Sequence, residues 1–318
     1  MMKRAIIKWA MKLFERVPSS DDLSLNEIFC HKSFTLASNQ ERERIMQKSS
    51  EFRYLYEYQH PFDSLFGFDL APLLRGKVVL DLGCFTGGKS VAYTERYRLD
   101  TLYGIDIRDV YIEAAQRFAK TKGIKAEFVC ATGEKLPFED EKFDAICSHD
   151  VFEHVRDVEQ TLSECNRVLK RKGKLFVVFP SYFGPVEHHL SLVTATPFIH
   201  YFFDGRDLID VYNELIDERG QEESYWYKRQ NRSLETWERC NTLNGCTKWG
   251  FRKLIRHTNW NVYYERNSPL LRGITKKYPA LRLIRYLIYP FAQVPFLEEF
   301  LCERIIYILE TRKIEGNV

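Results

Sequence analysis

Apolar and polar positions first fall into a clear order at Lys77–Gly88, KVVLDLGCFTGG, where an apolar run reaches an acid and turns at once into small residues. Val78, Val79, Leu80 and Leu82 are apolar at odd and even positions alike, the pattern of a strand covered on both faces. Glycines at 83, 87 and 88 permit a tight turn and a close approach of backbone to a ligand, and a helical stretch starts near Lys89. Beyond it, strand patterns at 101–106, 125–130, 143–148 and 173–179 alternate with helical patterns at 87–97, 109–121 and 157–170. This predicts an α/β, Rossmann-like fold, a mostly parallel central sheet with helices on both faces. After Pro180 the alternation stops for about sixty residues; a helix at 246–257 and strands at 259–265 and 303–310 then complete the sheet. Upstream, Gln40–Tyr58 is polar and helix-compatible. The N-terminal MMKRAIIKWAMKLFERV reads as an amphipathic helix, since Lys8 and Lys12 interrupt the apolar stretch that a secretory signal needs. It is expected to pack on the domain, a membrane surface being the alternative. The expected organisation is an N-terminal helical cap (1–75), a core (76–182), and an insertion with the last helix and strands (183–318).

Composition narrows the picture. With 318 residues, 45% hydrophobic and 14% aromatic, the chain can bury a large core, which argues against disorder. The net charge of +3 gives no reason by itself to expect a nucleic-acid partner. Its distribution is uneven: residues 228–290 hold fourteen Lys or Arg against three Glu, a local balance of +11 in a chain otherwise acidic. The eight cysteines form no Cys-x-x-Cys pair and read as reduced thiols of a cytoplasmic protein. The uncharged run YLIYPFAQVPFL spans twelve residues and contains Pro290 and Pro295, too short and too broken to cross a bilayer as a helix.

Chemistry gathers at the predicted strand ends. Asp81 closes the first strand, and Asp106 closes the second, about twenty residues past the glycine loop, where an acid can accept hydrogen bonds from ribose hydroxyls. That spacing points to a nucleoside. The dinucleotide fingerprint Gly-x-Gly-x-x-Gly is broken, because Cys84 and Phe85 follow Gly83, and an acid at 81 would repel a pyrophosphate. A cofactor with an amino acid and a sulfonium in place of phosphates suits the charge better.

In combination, VLDLGCFTGG, YGIDI, CATGEKLPFEDEKFDAI, SHDVFEHVRD and LKRKGKLFVVFP resemble, in order and spacing, the class I S-adenosylmethionine-dependent methyltransferases of the small-molecule group, over about residues 75–180. The resemblance implies that S-adenosyl-L-methionine is bound by Asp81, Gly83 and Gly87 at its methionine end, by Asp106 at the ribose, and by Thr132 and Gly133 beside adenine, with Phe85 and Ile107 also among the cofactor-binding residues. His149 would line the floor. In two places the chain departs from the family. Phe85 replaces the usual middle glycine; its N–H remains usable at negative φ, but its ring needs a place. Thr132 replaces a frequent aspartate, and its hydroxyl can still reach adenine. Glu153 and His154, the family's Glu-His pair, are read as loop supports.

The acceptor is expected over the loops after the fourth and fifth strands, which hold His149, Asp150, Tyr182, Glu187, His188 and His189. His188, His189 and Asp150 are the candidate proton acceptors for a hydroxyl substrate. No metal is assigned: adjacent histidines in a strand point to opposite faces. The acceptor class expected is a small molecule, a lipid-linked intermediate or a glycan. The basic, aromatic segment 225–300 is either a lid or a peripheral contact with the inner face of a membrane. A non-catalytic member of the fold, serving in membrane-peripheral assembly, is the second reading and is favoured by Phe85. An RNA methyltransferase is a weaker third, because the basic residues interleave with apolar ones and no RNA-binding module accompanies them.

Overall fold

The computed structural model describes residues 2–15, 37–184, 190, 193–218, 244–269, 282–295 and 297–313. Seven strands form one sheet: β1 (Val78–Leu82), β2 (Thr101–Asp106), β3 (Ala126–Cys130), β4 (Phe143–His149), β5 (Leu169–Phe179), β6 (Trp260–Pro269) and β7 (Cys302–Thr311). Their order is β3-β2-β1-β4-β5-β7-β6. β1 to β5 pair in parallel, and β7 enters antiparallel between β5 and β6. The winding direction reverses between β1 and β4, so a crevice opens at the carboxyl ends of these two strands. This is the expected α/β, Rossmann-like arrangement.

Eight helices of seven residues or more are described: α1 (Met2–Leu13), α2 (Asn39–Gln59), α3 (Gly88–Tyr97), α4 (Asp109–Thr121), α5 (Val158–Val168), α6 (Gly205–Glu218), α7 (Lys248–His257) and α8 (Arg282–Ile288). Both faces of the sheet are covered, which explains the near-continuous apolar strands. On one face Val79, Leu102, Phe176 and Ile308 meet Val91 of α3 and Phe118 of α4. On the other, Leu80, Ile146, Val177 and Leu309 meet Leu162 of α5 and Phe251 of α7. β5 begins at Leu169, four residues before the expected start, because Leu169 already pairs with Phe143 ahead of an irregularity in the β4–β5 ladder.

The N-terminal region serves two neighbours. α2 crosses the start of α3: Ser50 Oγ donates to the Thr86 carbonyl at 2.8 Å, and Tyr54 and Tyr58 both donate to Glu95. α1 packs away from the sheet, burying Ile7, Ala10 and Met11 against Leu208, Val211, Tyr212 and Leu215 of α6. Lys3, Arg4 and Lys8 pair with Asp207, Asp210, Glu214 and Glu218 of α6. Helix α6 lies in the stretch where no regular element was expected. Among the described residues no helix is long and apolar enough to cross a membrane.

Candidate functional site: a glycine loop between two carboxylates

The loop after β1 is built by backbone geometry. Gly83 and Cys84 N–H groups both donate to the Ile105 carbonyl, at 2.9 and 2.8 Å, tying the ends of β1 and β2 together. Gly83 and Gly87 have φ of +80° and +75°, which L side chains adopt only with strain. At Gly87 a Cβ would also lie 2.7 Å from the Cβ and 2.8 Å from the Cα of Ala115, and helix α4 has no room to retreat. Gly87→Ala is therefore expected to cost about 2–3 kcal/mol, strain and overpacking together, read as a lower urea midpoint at unchanged slope.

Phe85 differs from the expectation of negative φ: its φ is +51°. The loop keeps the left-handed turn that a glycine would make there and carries the side chain with it. The ring leaves the loop and lies 4.4 Å, centroid to centroid, from Tyr111 of α4, next to Met46 and Ile45 of α2. The Arg53 guanidinium carbon stands 5.5 Å from the ring centroid. Burial of an aromatic side chain offsets a left-handed backbone that costs about 1–2 kcal/mol. The ring thus packs between α2 and α4, away from the Phe85 N–H that Asp106 accepts.

Two carboxylates flank this loop. Asp81, buried at the end of β1, accepts from Ser90 Oγ at 2.5 Å. Asp106, ending β2, accepts from the N–H of Phe85 at 3.1 Å and of Arg108 at 3.3 Å, so one residue joins the loop to the start of α4. Burial pushes both acids up to about 6; the Ser90 hydroxyl and Lys89 oppose it at Asp81, the backbone N–H groups at Asp106. Ile107 leaves 60% of its surface exposed directly beyond Asp106, an apolar face beside the acid. Across the loop's other side, Gly133 is turned inward, where a Cβ would stand 3.0 Å from Thr161 Cγ2 and 3.6 Å from Leu82 Cδ1; Thr132 is exposed in the same turn. This donor set fits a nucleoside with a cationic tail: acids for ribose hydroxyls and an ammonium, an apolar face for a base, and acid rather than base where a pyrophosphate would lie.

Residues 80–177 match the family model of the methyltransferase domain. Residues 80–177 of the chain are thus a methyltransferase domain. Among curated proteins it is similar to malonyl-(acyl-carrier protein) O-methyltransferase 1 of Coxiella burnetii, 34% identical over 140 residues, 43% of this chain and 45% of that protein. It is also similar to a ubiquinone biosynthesis O-methyltransferase of Bartonella bacilliformis, 35% identical over 111 residues, 35% of this chain and 43% of that protein. The chain thus spans less than half the length of either relative. Among solved structures, the YcgJ protein of Bacillus subtilis aligns with 87% of this chain and 100% of its own, at 18% identity and a TM-score of 0.44.

At the end of β4 the methyltransferase domain adds a charged cluster that the motifs did not announce. His149 Nδ1 lies 3.0 Å from Lys89 Nζ, on the first turn of α3, and the His149 ring packs 5.4 Å from Phe62. Asp150, at φ +60°, has its carboxylate 3.6 Å from His149 Nε2 and paired with Arg304 of β7. Burial and the charge of Lys89 push His149 down to about 3, so its imidazole is neutral at physiological pH. Its Nδ1 faces Lys89 Nζ. Against burial, Arg304 and then Lys89 hold Asp150 well below the usual carboxylate range, making it a fixed charge and a poor proton acceptor. Burial lowers Lys89 as well.

Asp81, Gly83, Phe85, Gly87, Asp106 and Ile107 thus converge on the loop, with Thr132 and Gly133 along one side and His149 and Asp150 beside Lys89. His188, His189 and Glu187 lie outside the described residues. Glu153 is buried, and His154 Nε2 lies 3.7 Å from it. Lys89, Arg304 and Arg53 are the residues that sequence reading missed. A lysine two residues into a helix whose next residues, Ser90 to Tyr93, are all buried was the available signal for the first.

Proposed function

We propose that the protein transfers the methyl group of S-adenosyl-L-methionine to an oxygen nucleophile that arrives as an anion, with a carboxylate as the favoured acceptor. The observation carrying this reading is the pairing of the acid-flanked glycine loop with the basic cluster at the neighbouring strand end. Bound on the loop, the cofactor supplies an electrophilic methyl on its sulfonium. Asp106 would accept the ribose hydroxyls, Ile107 would offer its exposed side chain to the base, and Asp81 would favour the cationic end.

The acceptor's charge follows from the groups around His149. Burial lowers its pKa most, and Lys89, Arg304 and Arg53 lower it further against Asp150, so three cations face one carboxylate around this ring. A positive field lowers the energy of an anion held in the pocket, and an ionised carboxylate needs no base to become a nucleophile. Neither His149 nor Asp150 is poised to accept a proton near neutral pH, which fits an acceptor that brings none to lose. Transfer then rests on alignment and on exclusion of water. That both curated relatives are named O-methyltransferases agrees in direction. Small acyl, lipid-linked and glycan acids are all compatible acceptors.

The test is incubation with methyl-labelled S-adenosylmethionine and matched acceptors that differ only in a carboxylate or a hydroxyl. Label is expected in base-labile methyl esters of the carboxylates. Label confined to hydroxyls would overturn the anionic-acceptor reading and return attention to a base such as His188 or His189.

A further inference from the structure

In the segment between β6 and β7, the described residues 282–295 and 297–301 are anchored from beneath and expose apolar side chains above. Ala292 is fully buried and its carbonyl accepts from Asn267 Nδ2 at 3.0 Å; the Pro295 carbonyl accepts from Trp249 Nε1 at 2.9 Å. Above these anchors Leu283, Tyr286, Leu287, Tyr289, Phe291 and Val294 are 44–76% exposed. Positions 283, 286 and 287 share one face of α8, so three of them form a row rather than a scatter. A contiguous apolar surface of this kind marks a contact with a partner or a membrane.

Charge selects the partner. From Arg266 to Leu297 the chain contains six Lys or Arg and no Asp or Glu. A second copy of the chain meeting this surface symmetrically would bring like charges together, which disfavours self-association. An anionic lipid surface complements both features, taking leucine and tyrosine side chains into the headgroup boundary and the cations against its charge. α1 offers another exposed apolar row in Met2, Ile6, Trp9 and Leu13, but its Lys3, Arg4 and Lys8 are paired with acids of α6. The larger sequence charge, six cations over 266–297 with no acid, therefore lies on the α8 side.

The location also matters. Ser181, two residues past β5, donates to Glu299 Oε2 at 2.9 Å, and Phe183 stacks on Phe300 at 5.4 Å. The β6–β7 segment is thus fastened to the loop after β5, at the carboxyl end of the sheet where the crevice opens. We infer that α8 and the turn after it dock the protein on an anionic membrane surface, with the mouth of the site held near the lipid. The docking stands on this surface alone; that it presents the site to a lipid-borne anionic acceptor rests on the proposed function.

Co-sedimentation with vesicles of phosphatidylcholine alone, and of phosphatidylcholine with an equal part of phosphatidylglycerol, tests it. Binding is expected only to the second, weakened between about 0.1 M and 1 M salt as screening shortens. Leu283→Glu with Leu287→Glu is expected to reduce it by more than about tenfold. The variant should keep the wild-type melting temperature and S-adenosylhomocysteine binding, since both side chains are exposed and distant from the loop in sequence. Absence of binding to anionic vesicles, or binding untouched by the double substitution, overturns the inference. So does a solution dimer that the double substitution dissociates. Loss of vesicle binding with cofactor binding intact separates failure of docking from failure of the methyltransferase reading.

Discussion

Asp106→Asn is expected to abolish the thermal stabilisation of the protein by S-adenosylhomocysteine while leaving the unliganded protein as stable as wild type at pH 7, or more so. A ligand at a hundredfold its Kd stabilises a native protein by about 2.7 kcal/mol. Two ribose hydroxyls donating to an ionised carboxylate are each worth roughly 1.5–3 kcal/mol, so their loss raises Kd by a factor of 100 or more and removes most of that gain. The opposite effect on the free protein follows from the raised carboxyl. Asp106 titrates near 6 in the folded chain and near 3.9 unfolded, so its favourable contribution is complete below about pH 4 and is lost as pH rises through 6. At pH 7 the ionised group is a net cost that asparagine removes. Ligand binding has the reverse slope: the hydroxyls need the ionised acid, so affinity falls as pH drops below about 6. Differential scanning fluorimetry across pH 5–8, with and without ligand, reads both effects. A merely structural aspartate would show a loss of stability with ligand binding unchanged.

Lys248→Met is expected to destabilise the protein by about 3 kcal/mol, the low end of what breaking a buried ion pair costs. Lys248 is 1% exposed and Glu298 3%, with Nζ 2.8 Å from Glu298 Oε2 and also 2.8 Å from Glu265 Oε1. Removing the lysine leaves Glu298 charged and enclosed. Arg252 at 2.9 Å and Asn267 at 3.0 Å remain to it, which keeps the loss from the upper end of the range. These groups join α7 and β6 to the turn that carries the β6–β7 segment. Urea unfolding should show the lower midpoint, and the double variant Lys248→Met, Glu298→Met should recover part of it, since an apolar pair leaves no buried charge unpaired.

The inner strands β1, β4, β5 and β7 were legible because they are covered on both faces and so announce themselves as apolar runs between turns; the edge strands β3 and β6, partly exposed, also lie where strands were expected. Helix α6 was not expected although Leu208, Val211, Tyr212 and Leu215 have helical spacing, because aromatics and histidines dominate the stretch before it. The cofactor loop was readable from Asp81, the glycines and Asp106, which are close in sequence. Phe85 was not: its φ is set by the turn and paid for by Tyr111 and Met46, which come from other helices. The basic cluster was hidden for the same reason. Lys89, Asp150 and Arg304 arrive from α3, the end of β4 and β7, and pairs 154 residues apart leave no local pattern.

The loop between Asp81 and Asp106 is central, and isothermal titration of the wild-type chain with S-adenosylhomocysteine tests it most directly. Saturable binding at one site per chain, weakening below pH 6, is the predicted result. A flat titration at pH 7 with the protein folded would contradict the account.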